Sequence, residues 1–402
     1  MIVRTPMFVA ATLALWTQAT GALPAREHPY LFAWCGDMEM KASDFLAVID
    51  ADPNSRRYGR VLTTEPTGMA GMPHHTEAEM SANGLLFAND FEAGRTWIFN
   101  LRSPQMPKIV TSFGDMDGYM HPHTLLRLSD GNILATFQYH GGMGPKADGG
   151  GLLEIDNAGH LVRAGSALDP AAPHEFIRPY SVAVIPVLDR AVSTNAAMHY
   201  QEGGHPDTVQ VWQLSTLRLL KTIELPPGPE GAQYAPGEPR VLQDGRSILI
   251  HTFSCGLYLM RDSSDANPSV RFVYRFPGGS CGVPLRIGHW WLQSVPQTHS
   301  LTVLDISNPE QPREVSRLVL PDQQPHWLAA DPSGRRIVLD SGENVPDRRI
   351  FMIHFNPDTG AVALDRSFRD AGSDQPGIST DGKTWPQGFL RQAHCHGVVF
   401  SR

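Results

Sequence analysis

Short apolar runs, cut by Gly, Pro, Asp and Asn, fill the chain from Asp44 onward. They include "DFLAVIDADP", "GRVLTTEP", "GLLFAND", "RTWIFNL", "NILATFQ", "GGLLEIDNAGHLV", "TVQVWQLSTLRLLKTIEL", "SILIHTF" and "SLTVLDISNPEQPREVSRLVL". Val, Ile, Leu, Thr and aromatic residues dominate them. Many alternate apolar and polar positions with period two, the mark of a strand with one buried face. Long helical periodicity is nearly absent. The pattern predicts an all-β chain.

The runs recur as a unit. "PHTLLRLSDGNILATF" begins at Pro122 and "PHWLAADPSGRRIVLDSG" at Pro325. Each opens with Pro-His, continues as an apolar strand and turns at Asp and Ser, with Gly131 or Gly334 nine residues after the proline. Looser copies open at Pro73, Pro179, Pro239 and near Pro284. Repeats of about 40–60 residues, each worth four strands, indicate β-propeller blades. These six starts need a seventh. "AHCHGVVF" fits as a last inner strand with no chain left for the rest of its blade, and "DFLAVIDADP" with "RVLTTE" would supply the missing outer strands. The expected fold is a seven-bladed β-propeller closed by pairing of its N- and C-terminal strands, which removes open sheet edges.

A length of 402 residues with 41% hydrophobic content permits a large core. The net charge of -8 is mild and spread out, with no Lys/Arg run. That argues against nucleic acid and against a membrane surface as partners. The opening "MIVRTPMFVAATLALWTQATGALPA" joins Arg4 to an apolar stretch and then small residues. Residues 1–25 read as a secretory signal cleaved after Ala22 or Ala25, leaving 26–402 as one propeller domain. The apolar stretch is too short to cross a bilayer, and no later stretch is long enough. The mature chain is therefore expected without a membrane span, in the periplasm or secreted. Such a compartment permits disulfides between Cys35, Cys255, Cys281 and Cys395. Cys255 with Cys281 is a candidate bridge that spacing alone does not decide. Cys395, between His394 and His396, should face into the blade as a buried, inert thiol.

Inner strands of a propeller line its central channel. Four unit starts carry histidine there: His74 or His75, His123, His326, and His394 or His396. In circular order they belong to adjacent blades one, two, six and seven. Imidazoles converging from separate rigid strands make a transition-metal site, and the ligand type alone admits Cu, Fe, Zn or Ni. Met69, Met72, Met116, Met120 and Met143 crowd the same segments. Thioether favours copper, although methionine also serves simply to fill gaps. His140, His174, His199, His205, His251 and His289 read as structural or surface residues. The chain has no Gly-rich phosphate loop and no H-E-x-x-H.

The order of these segments resembles the selenium-binding protein family, which includes the methanethiol oxidases. "DFLAVIDADPNSRRYGRVLTTEP" followed by "PHH" is similar to the family's start. "HTLLRLSDGNILATF" with "GGGLLEID" resembles its His-Thr-x-His segment and the strands after it, and "AHCHG" falls where the family has a C-terminal Ala-His. The resemblance implies a seven-bladed propeller and a copper enzyme. Such an enzyme converts methanethiol, oxygen and water to formaldehyde, hydrogen sulfide and hydrogen peroxide. By position it implies roles for His75, His123 and His394. This chain departs at Leu126, where the family has the second His of His-Thr-x-His, and at His326, where the family has Gln. The family's Cys-rich segment after His-His is "TEAEMSANGLLF" here, so selenium binding does not carry over. The leading expectation is an exported copper oxidase using a small thiol and O2. Two other readings stay open: a non-catalytic propeller that binds a ligand or protein, and a four-histidine iron oxygenase.

Overall fold

Seven antiparallel sheets, each with four strands in line, follow the period of the Pro-led units. This is a computed structural model, and it describes residues 28–144, 148–172, 176–198, 206–265 and 267–402. The segment 1–25 and His174, His199 and His205 lie outside the described residues. Six inner strands run Pro73–Thr76, Tyr119–Arg127, Pro179–Ile185, Pro236–Val241, Pro284–Ile287 and Pro325–Ala330, and each is followed by three strands stepping outward. Blade four thus begins at Pro236, three residues before the expected Pro239. The architecture is the expected β-propeller.

Blade seven closes the ring. Its inner strand is Ala393–Phe400, and its outer strands are Tyr30–Asp37, Phe45–Asp50 and Val61–Pro66. The sequence pattern identifies the last two of these and misses Tyr30–Asp37. The reason is physical: "YLFAWCGD" is buried at every position. Leu31, Ala33 and Cys35 pack with Val338 and Met352 of blade six. Phe32 and Trp34 pack with Leu86, Ala88 and Trp97 of blade one. A strand buried on both faces shows no polar alternation.

Two expectations about cysteine change. Cys395 does pack into the blade core, but it is no free thiol: it is bonded to Cys35, its direct cross-strand partner. Period two correctly turns Cys395 away from the histidines. The sequence could not bring Cys35 beside it, because 360 residues separate the two. Cys255 and Cys281 form the second disulfide, and no free cysteine remains among the described residues. The chain ends are tied further by Tyr30 N–H to Ser401 Oγ at 2.9 Å and Ser401 N–H to the Tyr30 carbonyl at 2.8 Å. Among the described residues, no helix is long and apolar enough to cross a membrane.

Candidate metal centre

The inner strands share a defect that builds the site. In blade one, Pro73 pairs with Asp90 and Thr76 with Ala88, so three steps on one strand face two on the other. That is a β-bulge, which re-aims side chains. The same shift follows Pro122, Pro179, Pro236 and Pro325. It recurs in blade seven after Cys395, between its pairing with Cys35 and that of Val398 with Ala33. The first bulged residue is therefore His74, His123, Tyr180, Gly237, His326 and His396 in turn. By register, His74 and His396 are the repeat equivalents of His123 and His326.

The neighbours His75 and His394 still join them. In a regular strand His74 and His75 would point to opposite faces. Across the bulge their rings stack at 4.3 Å and 7°. The His75 amide donates to Asn89 Oδ1 at 2.6 Å, and Asn89 Nδ2–H donates to the Pro122 carbonyl at 2.6 Å, which locks blade one to blade two. Gly397, the second bulged residue of blade seven, has φ 125°. A Cβ there would lie 3.0 Å from the His74 carbonyl oxygen. Glycine thus lets the last strand approach blade one.

All six expected histidines form one connected cluster. His74 Nε2 lies 2.9 Å from His123 Nε2. The His74 and His396 rings stack at 4.2 Å, and His75 sits 4.4 Å from His123. His326 is 4.5 Å and His394 5.4 Å from His396. The ligand nitrogens of His74, His75 and His396 lie within 4.8 Å of one another. His326 is partly exposed; the other five are buried.

Protonation favours ligation. His123 Nδ1–H donates to the Tyr180 carbonyl at 2.8 Å, and His396 Nδ1–H donates to the His74 carbonyl at 2.8 Å. A carbonyl only accepts, so Nε2 of each neutral ring keeps its lone pair. Fixing the tautomer through the remote nitrogen is the usual arrangement around a metal-binding histidine. Burial is the main cause lowering every ring's pKa: to about 3 at His123, to about 4 at His396, and well below the usual value at His74, His75, His326 and His394. Neighbouring imidazoles add to the effect. Nε2 of His75 and of His394 has no hydrogen-bond partner despite burial. Neutral rings, unprotonated Nε2 atoms at His123 and His396, and the orphaned nitrogens of His75 and His394 fit a transition-metal ion.

Several residues enter the site without a signal noted in the sequence. Tyr180 packs 3.9 Å from His123, and Trp327 packs 5.0 Å from His75 while its Nε1–H donates to the Val398 carbonyl. Aligning the repeats on their prolines would have found Tyr180, which follows Pro179 as His123 follows Pro122. Asp340, fully buried, accepts from the Trp327 amide at 2.9 Å, and burial raises its pKa to about 7. Leu126 packs with Leu134, Leu152 and Trp212 in the apolar core, so this position contributes no group to the channel. His251 is buried on blade four with Nδ1 accepting from the Glu238 amide at 2.8 Å. His140 and His289 pack against Tyr119 and Trp290.

Fold and cluster together define a propeller with a histidine-lined channel. No family model matches the chain. A methanethiol oxidase from Hyphomicrobium is 33% identical over 151 residues, which cover 36% of this chain and 33% of that protein. The chain thus matches about a third of that relative's length. A hypothetical selenium-binding protein from Sulfolobus tokodaii has a similar structure, with TM-score 0.74 and 16% identity over 94% of each chain. The periplasmic gluconolactonase of Pseudomonas aeruginosa gives TM-score 0.59 and 15% identity over 84% of this chain and 95% of its own. At such identities the structural likeness speaks for the fold. The sequence match supports a distant relationship to the methanethiol oxidase and selenium-binding protein family.

Proposed function

We propose that this protein is an exported copper-dependent oxidase of a small thiol, with methanethiol the first substrate to test. The observation that carries it is the convergence of neutral imidazoles from four blades, all buried except His326, with Nδ1 of His123 and His396 donating to backbone carbonyls so that Nε2 holds the lone pair. His74, His123, His326 and His396 would hold the ion, with His75 and His394 beside them. Copper held by imidazoles supplies one-electron exchange with oxygen, which zinc cannot. The distant methanethiol oxidase relative supports a thiol substrate. Two disulfides without a free thiol among the described residues support an oxidising compartment outside the cytosol.

The chain's own residues have definable tasks. Tyr180, Trp327 and Phe91 wall the cluster with apolar surface, which excludes water and suits a methyl group. His394 lies outside the repeat-equivalent set, with Nδ1 3.9 Å from Glu343 Oε1 and Nε2 unpartnered.

Metal content of protein purified from its native compartment tests the cofactor, since copper, iron and no metal separate the three readings. Copper-loaded protein is then given methanethiol under air and under argon. Sulfide and peroxide should appear only with oxygen and vanish in His123→Ala. Absence of turnover by fully loaded protein would overturn the thiol-oxidase reading.

A further inference from the structure

His121 and Met143 meet one layer above the central cluster. His121 stands on the inner strand of blade two with φ 54°, a left-handed conformation uncommon outside glycine. Its Nδ1 lies 2.9 Å from the Phe91 carbonyl oxygen. That oxygen only accepts, so Nδ1 carries the hydrogen and a neutral ring keeps its lone pair at Nε2. Nε2 lies 3.1 Å from Met143 Sδ. A thioether has no hydrogen to give. The ring nitrogen and the thioether sulfur thus stand side by side as two donor atoms for a cation. A soft cation uses both donors.

Met143 reaches this position on "HGGMG". Gly141, Gly142 and Gly144 have φ of 71°, 148° and 99°, and an added Cβ on any of them would meet nothing within 4 Å. The glycines serve the bend of the loop rather than close packing. Met143 remains 49% exposed, so its thioether can swing open to admit an ion. Phe91 separates this pair from the centre: its ring is 5.2 Å from His121, 5.9 Å from His74 and 6.2 Å from His123.

We propose that His121 and Met143 form an outer metal site that captures copper(I), a soft monovalent cation, ahead of the central histidines. Imidazole with thioether is a donor set that selects copper(I) over harder ions. Binding at this outer site is tested through these two side chains. The role as a way station to the centre rests on the copper reading above.

The test uses the full chain and silver(I), with silver X-ray absorption and chelator competition as readouts. In the His123→Ala, His396→Ala chain, about one silver ion should still bind, with sulfur in its shell. Adding Met143→Leu should remove the sulfur signal and weaken binding about tenfold or more. His121→Asn, which tolerates the same backbone conformation, should weaken it likewise. A shell without sulfur, or one unchanged by Met143→Leu, overturns the outer site whatever the centre binds. With the central histidines intact, Met143→Leu should slow copper(I) uptake by the centre and leave its final content unchanged. Equal uptake rates overturn the way-station role.

Discussion

An imidazole binds a metal only through a nitrogen that holds no proton, so the carbonyls behind His123 and His396 matter as much as the rings. Alanine at His123 or His396 should lower copper affinity about 10–100-fold, measured by chelator competition. The same change at His394, outside the repeat-equivalent set, should cost less. Equal losses at all three would remove the distinction that the bulge register draws. A second residue-scale prediction concerns Asp44, whose buried carboxyl neighbours that of Asp90. Burial, then the neighbouring carboxyl of Asp90, raises its pKa from 3.8 to about 9. The folded chain keeps a proton there that the unfolded chain releases above its own lower pKa. This contribution to stability is complete at acid pH and is lost as pH rises through that window. Asp44→Asn keeps the shape and removes the titration. The variant should gain melting temperature relative to wild type at pH 8 and gain little at pH 4. A difference that does not vary with pH would reject a raised pKa at Asp44.

At the scale of strands, the site depends on a bulge repeated in six blades. Gly397 tests it. An alanine Cβ would sit 3.0 Å from the His74 carbonyl oxygen and from the Thr76 nitrogen, at φ 125°. The strained backbone alone costs about 1–3 kcal/mol. Gly372→Ala is the control, with φ 72° and nothing within 4 Å. Gly397→Ala should destabilise more than the control and also weaken copper binding; equal effects would mean that the approach of the two strands is unimportant. The bulge also explains what the sequence could and could not reveal. The blade period was legible because Pro-His and Asp-Gly turns recur at fixed spacing. The identity of the histidine-bearing blades was legible for the same reason. The choice within His74/His75 and His394/His396 was not, because period-two reasoning fails where a bulge adds a residue. Tyr30–Asp37 escaped because both its faces are buried, and His121 because its role depends on a loop folding back.

At the scale of the whole molecule, the clustered histidines span the point where the ring closes. His74 and His123 precede the long arc of blades three to five, and His326 and His396 follow it. Closure therefore builds the site as well as the fold. It rests on the pairing of Tyr30–Asp37 with Ala393–Phe400 and on the Cys35–Cys395 bond. Deleting residues 392–402 removes the inner strand of blade seven, two of the histidines and one cysteine. It also exposes the edge of Tyr30–Asp37 and strips cover from two core clusters. The truncated chain should lose its cooperative melting transition and bind no copper at the centre. Cys35→Ser with Cys395→Ser separates the covalent part from the strand itself. That chain keeps every ladder hydrogen bond and should lose about 2–5 kcal/mol while still binding copper. Because the bond joins strands that are already paired, its loss should raise the rate of ring opening, read as faster proteolysis near both ends under native conditions. A truncated chain that melts like the full one would show that the ring closes without its last strand.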